Sequence, residues 1–121
     1  MALSFDNLRK ANVKRCKKSF HKVDEWTPSD WACALAGEVG EACNLIKKLR
    51  RGEDIPLEDI AKELADVVCY ADLLAARLKI NLGKSVVNKF NEVSGRVKSK
   101  VRLTHQQTKL LLMLFRRSLS F

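Results

Sequence analysis

Proline and glycine are scarce in this chain, at two and five among 121 residues. An all-β fold with many tight turns needs more of both, so the scarcity favours long uninterrupted elements. Long apolar runs are also missing. The longest, Leu110 to Phe115, falls far short of the ~20 residues a membrane span requires. The start, Met1 to Arg9, has no basic segment leading into an apolar core, so it does not read as a signal peptide, and a cytoplasmic protein is expected. No CxxC spacing relates Cys16, Cys33, Cys43 and Cys69, and each falls in an apolar helical pattern. They read as small buried hydrophobes in a reducing compartment rather than as disulfide partners or metal ligands.

Acids are absent from residues 9–22, where Arg9, Lys10, Lys14, Arg15, Lys17, Lys18 and Lys22 crowd together. Residues 84–102 repeat the imbalance, with Glu92 their only acid. The net charge of +9 points to an anionic partner, whether nucleic acid, nucleotide phosphate or acidic lipid. Acids gather instead between Asp24 and Asp72, an arrangement suited to a cation site within a basic chain.

Helical spacing accounts for most of the sequence. A first helix is expected from about Ser4 to His21, with Phe5, Leu8, Asn12, Cys16 and Phe20 along one side. Thr27-Pro28-Ser29-Asp30 supplies a cap and a first-turn proline for a second helix, whose stripe is Trp31, Leu35, Val39, Ala42, Ile46 and Leu49. After a break at Gly52 to Pro56, a third helix carries Ile60, Leu64, Val67, Ala71, Leu74 and Leu78 and fades by Asn81-Leu82-Gly83. A fourth carries Val86, Phe90, Val93 and Val97. Short connections between four amphipathic helices predict an all-α, antiparallel four-helix bundle over residues 1–103. Residues 104–121 form an apolar and basic extension without an acid, either a terminal helix at a subunit interface or a poorly ordered tail.

The informative polar residues are Glu38-x-x-Glu41 and Glu63-x-x-Asp66, two pairs that each share one helix face. Glu38 lies three residues after Leu35 and four before Ala42; Glu63 bears the same relation to Ile60 and Val67. Each acid therefore borders the surface its helix should bury, where a carboxylate is costly unless it is paired or bound to a metal. Two such helices packed antiparallel bring four carboxylates together, a donor set for a hard ion such as Mg²⁺ or Mn²⁺. Neither His21 nor His105 completes the Glu-x-x-His spacing of di-iron bundles. Lys89 and Arg96 form a basic row in the fourth helix, and Lys47, Lys48, Arg50 and Arg51 follow Glu41. A metal flanked by such rows is what a polyphosphate needs, although basic residues at a helix end also complement its dipole.

The stretch from Trp31 through Gly37-Glu38-Val39-Gly40-Glu41 to Glu53, followed by Glu63-Leu64-Ala65-Asp66, resembles the MazG-like all-α nucleotide pyrophosphohydrolases. It looks closest to the short phage and integron types and to the dCTP pyrophosphatases, and the resemblance covers about Leu8 to Leu103. It implies that Glu38, Glu41, Glu63 and Asp66 ligate Mg²⁺, and that a (deoxy)nucleoside triphosphate is cleaved between its α- and β-phosphates. Lys48, Lys89, Asn91 and Arg96 match positions that hold the triphosphate. Phe20, His21, Trp26 and Trp31 match aromatic positions that enclose the base, with helix packing an alternative role for Trp31. Gly37 stands where many members carry a further Glu, as it does in the dCTP-type subgroup. The resemblance also implies a homo-oligomer, dimer or tetramer. Glu38 or Glu41 would take the proton of the attacking water.

Two readings without hydrolysis compete. A basic helical nucleic-acid-binding protein would explain the charge of the first and fourth helices but not the matched placement of Glu38 and Glu63. An interaction module would retain the bundle and catalyse nothing.

Overall fold

The computed structural model describes residues 1–105 and 113–119. It is all-α, with no strand among the described residues. In chain order the elements are α1 (Phe5–Ser19), a 3₁₀ turn (Val23–Glu25), α2 (Pro28–Arg50), α3 (Leu57–Arg77) and α4 (Leu82–Arg96). Residues 113–118 are also helical. The part of the apolar run at 110–112 lies outside the described residues. The chain divides into two compact units, Met1–Ile80 and Asn81–Phe121. Among the described residues no helix is long and apolar enough to cross a membrane.

The local sequence accounts for the helix ends. Ser4 caps α1 by accepting the Asn7 amide at 3.0 Å. Thr27 and Asp30 form a reciprocal capping box at the start of α2, with Pro28 in the first turn. The Thr27 amide and hydroxyl hold the Asp30 carboxyl below its usual range. Gly52, at a φ of +86°, lets α2 close with Gly52 N–H bonded to Leu49 and Glu53 N–H to Lys48. The same pair of bonds ends α3, where Lys79 takes the left-handed position and Ile80 N–H reaches back to Ala75. Without a glycine there, the sequence reading carried α3 on toward Gly83. That glycine is instead buried in the first turn of α4, whose cap is Asn81.

In the first unit α3 is the central helix, packing against α2, α1 and the 3₁₀ turn. Its buried residues Ile60, Leu73 and Ala75 lie on different sides because it has several neighbours. Cys16, Trp31 and Leu73 form a buried nucleus, backed by Val23, Trp26, Tyr70 and Leu74. The expected stripes are only partly buried: Phe20 is 76% exposed, and Val39, Ile46, Leu49, Leu64 and Leu78 are exposed too. The cysteine expectation also needs correction, because Cys33 and Cys43 are exposed and Cys69 is half-buried. A helix turns about 100° per residue. Trp31 and Ala42 therefore share one side of α2, and Cys33 and Cys43 are turned well away from it.

A buried polar cluster joins α1 to α3. Asp72, only 1% exposed, accepts Arg9 Nε at 2.9 Å and Asn12 Nδ2 at 3.2 Å. Arg9 also donates to the Ile80 carbonyl at the end of α3. In the second unit, the α4 stripe Val86, Phe90, Val93 and Val97 lines an open groove with Val101. Asn91 donates to the Leu103 carbonyl and accepts its amide, at 2.9 and 2.8 Å.

Removing Arg9 would leave the Asp72 carboxylate buried without its counter-charge, a change that costs about 3–5 kcal/mol in buried pairs. Arg9 is itself about a quarter exposed. Arg9→Ala is therefore expected at the lower end, about 3 kcal/mol, by urea denaturation.

Candidate functional site

Residues seven apart on a helix lie almost on one line, so Glu38 follows the buried Trp31 along the α2 face that meets α3. Glu41 lies nearly a turn further toward solvent. From α3, Glu63 sits one turn beyond the buried Ile60. Glu38, Glu41 and Glu63 each present a carboxylate oxygen, and the three oxygens lie within 4.8 Å of one another. Glu38 Oε2 and Glu63 Oε2 are sealed from solvent and have no hydrogen-bond partner.

This crowding perturbs both half-buried acids. Burial pushes the Glu38 carboxyl above its ordinary range, and the charges of Glu41 and Asp66 push it further. Glu63 is raised by burial first, then by a hydrogen bond with Glu41 and by the charges of Glu41 and Asp66. Like charges at this spacing oppose ionisation. A divalent cation reverses the balance, because three carboxylates from two rigid helices are the oxygen set a hard ion binds. The orphaned oxygens of Glu38 and Glu63 therefore fit a metal site. Asp66 stands outside the trio, close enough for its charge to act on both acids. It lies seven residues before Leu73 and lines the same cavity as that residue.

That cavity, of about 430 Å³, is lined by Phe20, His21, Trp26 and Trp31 together with Asp66. The segment after α1 carries most of these rings, and three side-chain donors hold its backbone. Cys16 Sγ donates to the His21 carbonyl at 3.1 Å, Trp31 Nε1 to Val23 at 2.9 Å, and Arg77 Nε to Trp26 at 2.7 Å. The rings consequently cluster, with His21 and Trp31 each centred 4.6 Å from Trp26 and 5.6 Å from one another. Trp31 is 2% exposed, so it serves helix packing and cavity lining at once. Phe20 lies at the exposed lip. His21 Nδ1 is 2.8 Å from the Lys22 carbonyl, which can only accept, so that nitrogen carries the proton.

Several lining residues escaped the sequence reading as site residues: Asn12, Arg15, Cys69 and Tyr70. Asn12 carried a signal, as an amide on the apolar side of α1. Arg15 was hidden in a basic run. Burial raises the Cys69 thiol, so it is no thiolate nucleophile near neutral pH. Burial, with Glu38 next, raises the Tyr70 phenol, which stays a donor.

The remaining expectations for phosphate binding concern Lys48, Lys89, Asn91 and Arg96. Lys48 lies in the last turn of α2 and in neither lining. Lys89, Asn91 and Arg96 belong to α4 in the second unit. Lys89 pairs with Glu92 at 2.9 Å on an exposed face. Both ends of the Asn91 amide are engaged with Leu103, so binding phosphate would require releasing that tether. No family model matches the chain, and no curated protein or solved structure matches it.

A carboxyl raised in the folded state holds its proton more tightly there than in the unfolded chain. Its contribution to stability is therefore greatest below the unfolded pKa and falls as pH rises through the folded value. Metal-free protein should consequently gain thermal stability when Glu38→Gln or Glu63→Gln removes one charge, with the gain larger at pH 7.5 than at pH 4.5. Mg²⁺ or Mn²⁺ should raise the Tm of the unsubstituted chain by several degrees at pH 7.5 and much less for either variant, as read by differential scanning fluorimetry.

Proposed function

We propose that the chain is a Mg²⁺-dependent nucleoside triphosphate pyrophosphohydrolase of the MazG-like kind, releasing pyrophosphate and a nucleoside monophosphate. The observation that carries this reading is the pair of sealed, unpartnered oxygens of Glu38 and Glu63, held beside Glu41 next to an aromatic cavity. A structural role for such a cluster would call for lysine or arginine partners. Among the described residues, the carboxylates of the trio form no ion pair.

In this reading Glu38, Glu41, Glu63 and Asp66 hold Mg²⁺, with Mn²⁺ a substitute, and the ion supplies Lewis acidity and charge neutralisation at the triphosphate. The chain's own residues do the rest. Phe20, His21, Trp26 and Trp31 take the base in the cavity, excluding water from its faces. Asp66, which belongs to the cavity wall and acts on the acid trio, relates base site to phosphate site. Glu38 or Glu41 accepts the proton of the attacking water. Lys48 counters the charge of the triphosphate, and the aromatic cavity receives dCTP-like substrates.

The same reading includes a homo-oligomer that completes a four-helix bundle. Leu57, Leu64 and Val68 are 74%, 51% and 48% exposed on α3, and few apolar side chains are fully buried. A chain this size with so thin a core gains from covering such a face. The nucleic-acid reading has its own observation, the exposed Lys10, Lys14, Lys17 and Lys18 on α1, and would show as salt-sensitive binding that needs no metal.

Pyrophosphate release from a panel of NTPs and dNTPs tests the activity. It is expected with Mg²⁺ and lost with EDTA, and Glu38→Gln and Asp66→Asn should each abolish turnover while circular dichroism stays unchanged. Near-normal turnover by both variants would sink the site. In sedimentation velocity the unsubstituted chain should run as a dimer or tetramer, and Leu64→Glu should shift it toward monomer.

A further inference from the structure

The amide of Asn12 is not free to choose its orientation. Asn12 is 3% exposed and lines the aromatic cavity. Its Nδ2 lies 2.8 Å from the Cys69 carbonyl oxygen and 3.2 Å from Asp72 Oδ2. Both neighbours are acceptors. A carbonyl has no proton to give, and the other oxygen of Asp72 already accepts Arg9 Nε at 2.9 Å. Turning the amide over would set its oxygen against two oxygens. Both N–H groups of Asn12 are therefore committed, and a cavity occupant can be offered only its carbonyl oxygen.

We propose that Asn12 is a specificity-determining acceptor, fixed by Asp72 and Cys69, that selects occupants carrying an exocyclic amino group on a planar heteroaromatic ring. The inference rests on the proposal that the cavity receives a base, and it deepens that proposal by naming the chemical class of base. An amino group is donor-only, with two N–H groups and no oxygen, and so complements an acceptor that cannot turn. An oxo-bearing ring such as uracil offers its N–H only between two carbonyl oxygens, and these would be driven against the Asn12 oxygen. The amide cannot turn to donate to them. A buried polar site rejects a ligand that leaves its groups unpaired far more strongly than an apolar site rejects an altered shape.

Both tryptophans of the chain, Trp26 and Trp31, line this cavity, so occupancy can be read by quenching of their fluorescence. The full chain would be titrated in EDTA with deoxycytidine, deoxyuridine and N4,N4-dimethyldeoxycytidine, uncharged probes that avoid repulsion by the acid trio. Leaving a buried group unpaired costs about 1–3 kcal/mol, so deoxycytidine should bind about tenfold or more tightly than either of the others. Asn12→Leu, of similar volume and without the acceptor, should bind all three alike. Equal binding of the three by the unsubstituted chain, quenching by none of them, or a preference that survives Asn12→Leu would each overturn the assignment. If Asn12→Leu does not fold, deoxycytidine against its dimethyl analogue decides on the unsubstituted chain. Pyrophosphate release is a separate readout. Amino selectivity without turnover removes the proposed activity and keeps this inference, and turnover without selectivity does the reverse.

Discussion

Three carboxylates whose oxygens lie within 4.8 Å of one another repel, and the α2–α3 hairpin holds them there. Much of the first unit can be understood from that constraint. Glu38 and Glu63 occupy positions that helical geometry assigns to the packed seam, and each is half-buried there. Their protons are retained more tightly than usual because burial and neighbouring acids both oppose the charge. The hairpin therefore stores unfavourable electrostatic energy that a bound cation would release. The local geometry makes this possible. The Thr27–Asp30 capping box fixes where α2 starts, and the turn at Gly52 fixes where it stops. Together they set the register that brings Glu38 and Glu41 opposite Glu63.

The aromatic cavity follows a different logic, one of donors and acceptors. The segment from Phe20 to Trp26 has little regular structure beyond one 3₁₀ turn, yet its carbonyls at His21, Val23 and Trp26 are each met by a side chain from a helix. Those bonds join the segment to α1, α2 and α3, so the rings it carries are placed by the helical framework. Asp66 connects the two regions. On α3 it lies on the line of Leu73, which lines the cavity, while its charge reaches Glu38 and Glu63. One short stretch of α3 thus carries a residue of the acid trio, a residue of the cavity wall and, at Asp72, the anion that organises the back of the cavity.

The sequence made the helices legible because their signals are local: apolar spacing, a capping box, a proline, a glycine. The paired acids were legible for the same reason, since i, i+3 spacing and placement within a stripe can be read along one helix. The rings at Phe20, His21, Trp26 and Trp31 were read through resemblance, and the segment that carries most of them is held by three side-chain hydrogen bonds, one of them spanning 51 residues, that leave no local pattern. The Arg9–Asp72–Asn12 cluster spans 63 residues of sequence between its charges, and only the amide on an apolar face hinted at it. The end of α3 was misplaced because Lys79 adopts a backbone conformation that the sequence usually advertises with glycine. Cys33 and Cys43 were misassigned because each falls in an apolar helical pattern, yet both lie off the buried side of α2 and are exposed.

The energetic cost of the acid trio bears on the rival readings. Marginal stability makes an unfavourable buried cluster expensive, and proteins concentrate such expense where function needs it. A nucleic-acid-binding module built on the basic face of α1 gains nothing from carboxylates crowded between α2 and α3, and their negative charge opposes its partner. An interaction module has no need for oxygens without hydrogen-bond partners in the seam, where leucine at Glu38 and Glu63 would pack without repulsion. The proposed cation site would account for both the position and the cost, with the aromatic cavity beside it. The basic surface would then have a role compatible with the acids, raising the local concentration of a polyanionic substrate. Charge of both signs is thus consistent in a single reading, the positive charge drawing the ligand to the surface and the negative charge waiting for the ion that the ligand requires.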